Sequence, residues 1–259
     1  MTITYLSILL GLLLLAVPAY LVFVFDRLES RKSALAVIRM AVQLSVMGGL
    51  LYLLYRVDSV WLSLLWLLLL VVAAAFMLVS RTHLRSRALF LPACVGMFCS
   101  VLAVSAYLVL AVFRPAGEQG SRWFVPVMGV LMAHVLTTNI PAVRTYFEYL
   151  RQDSQAYFTL LGNGASRLRA LSPYLARALK SLMAPAVVSL SAMGLFVMPM
   201  LLSGLLLGGF KPVEAVFVFV VLVFASITAS VLSLLLTLFV ADRRAFTAEG
   251  RLGDVFSAD

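Results

Sequence analysis

His134, the deeper of two histidines, is the residue of this chain best placed for chemistry. It lies inside an apolar stretch, with Met128 and Met132 one helical turn apart before it and Thr137, Thr138 and Asn139 after it. Imidazole and thioether sulfur favour soft or borderline metal ions. An ionisable group at that depth lines a pathway, or bonds as a neutral imidazole to a neighbouring helix. Methionine also fills gaps in apolar cores, so both readings stay open for these residues and for Met193, Met198 and Met200. Arg39 and Gln43, four apart, share one helical face. Arg39 either lines a vestibule or snorkels to the membrane surface. Pro141 removes a backbone donor, and Thr138 and Asn139 stand where they would satisfy the groups it frees. With Pro199, Ser203 and Gly204, which punctuate a later apolar stretch, Arg39, Gln43, Met128, Met132, His134 and Asn139 form the candidate translocation pathway. The ligand set of any metal stays unknown.

Other chemistry is missing. None of the eleven acids falls in the middle of an apolar stretch. Proton-driven transporters use buried carboxylates or histidines as relays, so that reading weakens, while sodium coupling through backbone carbonyls stays open. There is no HExxH zinc motif and no serine–histidine or paired-acid arrangement. Gly162-Asn163-Gly164-Ala165-Ser166-Arg167 lacks the spacing and the lysine of a phosphate-binding loop. No lysine is central in the last stretch, which rules out a retinal Schiff base. The chain is therefore expected to be non-catalytic and to bind no cofactor itself.

The elements that position these residues are seven apolar stretches, at 3–25, 34–55, 59–79, 88–113, 123–146, 182–209 and 213–241. A bilayer core of about 30 Å needs roughly 20 apolar residues per helix, and each stretch meets that. The reading is an all-α polytopic membrane protein of about seven transmembrane helices, a single domain over 1–259, in the cell membrane and in contact with lipid. Alternating the loops puts sixteen of the twenty Lys and Arg on one side. Positive charge stays in the cytoplasm, so the N-terminus is expected outside and the C-terminus inside. The net charge of +9 is then a rim facing anionic lipid rather than a nucleic-acid footprint. The first stretch is too long, and its basic flank comes too late, for a cleaved signal peptide. Cys94 and Cys99 read as small packing residues.

Residues 147–181 are the polar exception. They suggest a helix running out of the fifth stretch to about Gln155, a break at Leu161-Gly162-Asn163-Gly164, and an amphipathic helix toward Lys180 with Pro173 near its start. Such a connector is either a docking element or a plain link. Pro185 and Pro199 should interrupt the sixth stretch. Ser226, Thr228, Ser230 and Ser233 in the seventh suit close helix packing.

Ile38-Arg39-Met40-Ala41-Val42-Gln43-Leu44, Leu161-Gly162-Asn163-Gly164-Ala165, and the run from Met193 through Met198-Pro199-Met200 to Leu205 resemble the FetB-type permease family. These are ABC-transporter membrane subunits linked to iron export in bacteria and aluminium tolerance in plants. Gly208-Gly209-Phe210-Lys211-Pro212 fits the family's short outer turn, and the likeness covers about residues 33–246. It implies a homodimeric permease exporting an iron-like metal ion, with ATP and magnesium on a separate ATPase subunit. It also makes 147–181 a cytoplasmic coupling loop, whose short helix near 157–169 docks on that ATPase through Tyr157, Leu161, Gly162, Gly164, Ala165 and Arg167. A bulky residue at Gly162 or Gly164 would then uncouple hydrolysis from transport. A stand-alone secondary transporter or channel, and a scaffold holding a cytoplasmic partner, are the competing readings.

Overall fold

The computed structural model describes residues 20, 27–57, 59–82, 86–113, 120–193 and 200–245. The described residues contain helices, turns and no strand, because lipid leaves backbone groups no partner but their own helix. The chain divides into two compact units, 1–58 and 59–259.

The first unit contains α1 (Arg27–Val57), of which Val37–Leu54 is apolar enough to cross a membrane. Arg39 and Gln43 both lie on it and are exposed.

The second unit is built from α2 (Val60–Thr82), α3 (Ser86–Tyr107, continued as a π-helical turn over Leu108–Phe113), α4 (Gly120–Gln152), α5 (Ser154–Gly162), α6 (Arg167–Met193), α7 (Met200–Leu207) and α8 (Pro212–Ala245). α8 packs along α3 and α4, and α4 also packs on α2 and α6. The α3–α8 crossing is close because small residues meet there: an added Cβ at Gly96 would lie 2.1 Å from Thr237 Oγ1. Ser226, Ser230 and Ser233 are buried on α8 as the small-residue pattern suggests, whereas Thr228 is exposed.

Among the described residues, five helices are long and apolar enough to span: Val37–Leu54, Trp61–Thr82, Leu89–Phe113, Trp123–Gln152 and Pro212–Arg243. Of the seven expected, the first stretch, apart from Tyr20, lies outside the described residues. Of the sixth, α6 covers the part up to Met193 and α7 the part from Met200 to Leu207, and the residues between lie outside the described ones. α6 joins a basic, amphipathic start to apolar residues that end at Met193, and α7 has eight residues. Pro185 does not interrupt α6. One lost backbone bond is tolerated where a neighbouring helix supports the segment, and α4 packs along α6. Pro199 lies outside the described residues.

Two of the short helices end alike. α5 stops where Gly164 takes φ 79°, with Ala165 N donating to Leu160 O at 3.0 Å and Gly164 N to Leu161 O at 3.0 Å. α7 stops where Gly209 takes φ 93°, with Phe210 N donating to Leu205 O at 3.2 Å and Gly209 N to Leu206 O at 3.1 Å. Both are Schellman ends, in which a left-handed glycine reverses the chain and satisfies the last carbonyls.

Candidate functional site

Residues 147–181 are not a loop but a helical hairpin continuous with two long helices. α4 runs on to Gln152, α5 follows one residue later, and α6 starts at Arg167. The single helix expected near 157–169 is instead the second half of α5, a turn, and the first residues of α6, because the left-handed Gly164 ends the helix inside that range. Ser166 caps α6, its hydroxyl accepting from Arg169 N at 3.4 Å.

The residues proposed to meet a partner divide by direction. Tyr157 is fully buried and Leu161 is half-buried against the core, so both anchor α5. Gly162, Asn163, Gly164 and Arg167 are exposed and Ala165 half-buried. Phe158, 43% exposed, is the large apolar side chain that α5 presents most openly. The two glycines also differ. A Cβ at Gly162 meets open space in ordinary helix, whereas Gly164 holds a positive φ. Gly164→Val is expected to cost about 1–2 kcal/mol of α5 ordering, while Gly162→Ala should be neutral or slightly stabilising. Hydrogen exchange of the α5 amides reads both.

The hairpin is fastened on two sides. Toward α6, Tyr174 Oη donates to the Asp153 carbonyl at 3.0 Å, and Arg177 pairs with the Asp153 carboxylate at 3.0 Å while lying 4.3 Å above the Tyr149 ring. Burial raises the Tyr174 hydroxyl above its ordinary pKa, Asp153 adding to the shift and Arg177 opposing it. Toward α8, Tyr146 Oη donates to both oxygens of Asp242, at 2.9 and 3.0 Å, and Arg167 Nη2 donates to the Asp242 backbone carbonyl. The Tyr157 hydroxyl is raised mainly by burial, with Arg167 opposing and Asp242 reinforcing, which puts all three in one electrostatic neighbourhood. Beside them a cavity of about 560 Å³ lies between α6 and α8, lined by leucines of both helices and Phe239, with Tyr146 and Asp242 in its wall.

A second cavity, of about 430 Å³, opens between α4, α6 and α8 and includes His134, Thr137, Phe219 and Ser226 in its lining. The Thr137 and Ser226 hydroxyls donate to carbonyls of their own helices. Among the described residues, His134 Nε2 is buried without a hydrogen-bond partner. Met128 and Met132 are buried in the core and do not line this cavity. Two residues along a helix is a rotation of about 200°, so Met132 and His134 point to opposite sides of α4. Nor does Asn139 join His134. Its Nδ2 donates across to Ser233 Oγ at 2.8 Å, and Thr138 Oγ1 donates to the His134 carbonyl at 2.8 Å. Both side chains thus bond elsewhere than to the groups freed by Pro141. Ser203 and Gly204 lie on α7, half-buried and exposed respectively, and not in the wall of this cavity.

The sequence pattern of the uncharacterised protein family UPF0014 matches residues 5–246. The chain belongs to this family. It is similar to the probable iron export permease protein FetB of Escherichia coli K12, 26% identical over 93% of this chain and 92% of that one. It is 26% identical to the UPF0014 membrane protein STAR2 of Oryza sativa over 86% of this chain and 78% of that one. With protein ALUMINUM SENSITIVE 3 of Arabidopsis thaliana it shares 25% over 86% and 81%. No solved structure matches the chain. As a UPF0014 member with several spanning helices it is a multi-pass membrane protein.

Sequence reasoning passed over Tyr146, Asp242, Tyr174 and Phe158 in this UPF0014 chain. Tyr146 and Asp242 are 96 residues apart, and no local pattern joins them. Their one shared signal is that each stands at the basic end of a long apolar stretch.

Proposed function

We propose that this chain is the membrane-spanning permease subunit of an ABC transporter, driven by ATP hydrolysed with magnesium on a separate subunit. The carrying observation is α5, a nine-residue helix without charge, anchored through Tyr157 and ended by Gly164. It presents Phe158 and the Gly162–Gly164 turn between Arg151 on one flank and Arg167 and Arg169 on the other. Its partner would offer an apolar cleft with an acidic rim. The basic end then faces the cytoplasm, and two copies of the chain stand over two ATPase copies.

The cargo proposed is an iron-like metal ion moved outward, a reading supported by the likeness to FetB, named a probable iron export permease protein. Among the described residues, no three of His, Cys, Asp and Glu come together to hold a metal. His134 gives the 430 Å³ cavity one imidazole, a weak contact of the kind a moving ion needs rather than a resting site.

The test is ATPase activity of the chain co-purified in lipid with a candidate ABC ATPase subunit, with ferrous, ferric and copper ions added in turn. Metal-stimulated hydrolysis is expected. A complex that no metal stimulates would remove the metal cargo, and failure to form any complex would remove the permease reading. Phe158→Glu should weaken the complex by at least roughly tenfold, the scale of one interface anchor, with the melting temperature of the chain alone unchanged. Wild-type affinity in that variant would show that α5 is not the docking face.

A further inference from the structure

We infer that Asp242 and Tyr146 are positioning residues that hand the movement of α5 to α8, an inference that rests on the permease reading. α5 packs on α4 and α6, so a pull on α5 reaches those helices first. Both can absorb it: α4 contains Pro126 and Pro141, and α6 contains Pro173 and Pro185. Each proline removes a backbone bond and makes a place to bend. α8 has its proline at its first residue, Pro212, and runs unbroken for 34 residues.

α6 packs on α8 much less than α4 does, and the 560 Å³ cavity lies between α6 and α8 at this end. Two polar links reach α8 here, Arg167 of α6 to the Asp242 carbonyl and Tyr146 of α4 to the Asp242 carboxylate. Both converge on one residue of α8, from the first residue of α6 and from the basic end of α4. From Asp242 the rod continues to Ser233, where Asn139 bonds it, and to Ser226 in the wall of the His134 cavity. Asp242 to Ser226 is about 24 Å at 1.5 Å per residue. A stiff helix held at one end by charge-assisted bonds and lining the cavity farther along transmits displacement across the membrane.

The experiment places a nitroxide on α8 at Thr228→Cys, an exposed site near the cavity, with Cys94 and Cys99 replaced by serine. The chain is reconstituted in lipid nanodiscs with its ATPase subunit. The spectrum is recorded with and without ATP, beside transport per ATP hydrolysed. Wild type is expected to show an ATP-dependent change. In Tyr146→Phe and Asp242→Leu that change should shrink, and transport per ATP should fall by roughly tenfold, the scale of one hydrogen bond to a charged group. Partner affinity should be kept in both. Asp242→Asn, which retains an acceptor for Tyr146, should recover most of the response. If Asp242→Leu does not fold, Tyr146→Phe, which removes one oxygen, decides alone. An undiminished response in Tyr146→Phe overturns the inference and leaves the permease reading standing. A wild-type complex that never responds to ATP, or never forms, overturns both.

Discussion

Gly96→Leu is expected to prevent the second unit from assembling, and even Gly96→Ala to lower its melting temperature markedly. A methyl at this position would lie 2.1 Å from Thr237 Oγ1, 2.8 Å from Thr237 N and 2.9 Å from Ser233 O. The first atom is a short side chain on a rigid helix, and the other two are backbone. All three distances are below van der Waals contact, so relief requires α3 and α8 to separate along the most extensive helix pairing in the unit. Overpacking a tight site costs about 1–3 kcal/mol and more when backbone must move, and leucine adds three further carbons to the same clash. Thermal unfolding in detergent, with size-exclusion chromatography for monodispersity, reads the effect. Gly96→Ala combined with Thr237→Ala should recover only part of the loss, because the two backbone contacts remain. A monodisperse Gly96→Leu protein with wild-type melting would show that the two helices do not cross this closely.

Tyr157→Ala should release α5 while leaving the spanning helices intact. Tyr157 is fully buried, and it is the buried side chain α5 contributes. Truncating a buried aromatic to alanine costs about 3–5 kcal/mol. A nine-residue helix has little stability of its own, so this loss falls on local docking rather than on the whole fold. Amides of residues 154–165 should exchange roughly a hundredfold faster or more, since each 1.4 kcal/mol is a factor of ten. The amides of α8 should be unchanged. On the permease reading, association with an ATPase subunit should be lost as well. Tyr157→Phe, which keeps the ring, should stay close to wild type. If exchange over 154–165 did not change in Tyr157→Ala, the anchoring role would belong to another residue.

The helical class and the membrane were legible because lipid allows few alternatives: long apolar runs must be helices. The connector was legible in outline, since Gly162-Asn163-Gly164 marked the break and Gly164 proved to be the left-handed residue. Direction was harder. Tyr157 and Phe158 are adjacent, and their types do not say which enters the core; the packing of α5 on α4 and α6 decides it. The pathway set was least legible. Met132 looks close to His134 in the sequence but lies on the far side of α4, and Asn139 turns to Ser233. Gly96 shows the limit most plainly. Local sequence does not separate it from Gly48, Gly49 or Gly129, and none of those three has a neighbour within 4 Å of an added Cβ. What sets Gly96 apart is a helix that begins more than a hundred residues later.

The serines of the central helices bear on how such a protein changes over generations. Ser100 and Ser105 on α3 donate to the carbonyls of Met97 and Leu102, and Ser226 and Ser230 on α8 donate to those of Val223 and Ser226. Each hydroxyl is satisfied within its own helix, so what these positions require is small volume rather than a particular polarity. Glycine, alanine and serine are close to interchangeable at such sites, and mutation can exchange them with little selective penalty. Lineages can therefore drift far apart in spelling while the same helices still meet, and a homologue is better recognised by the sizes of the residues along this seam than by their names.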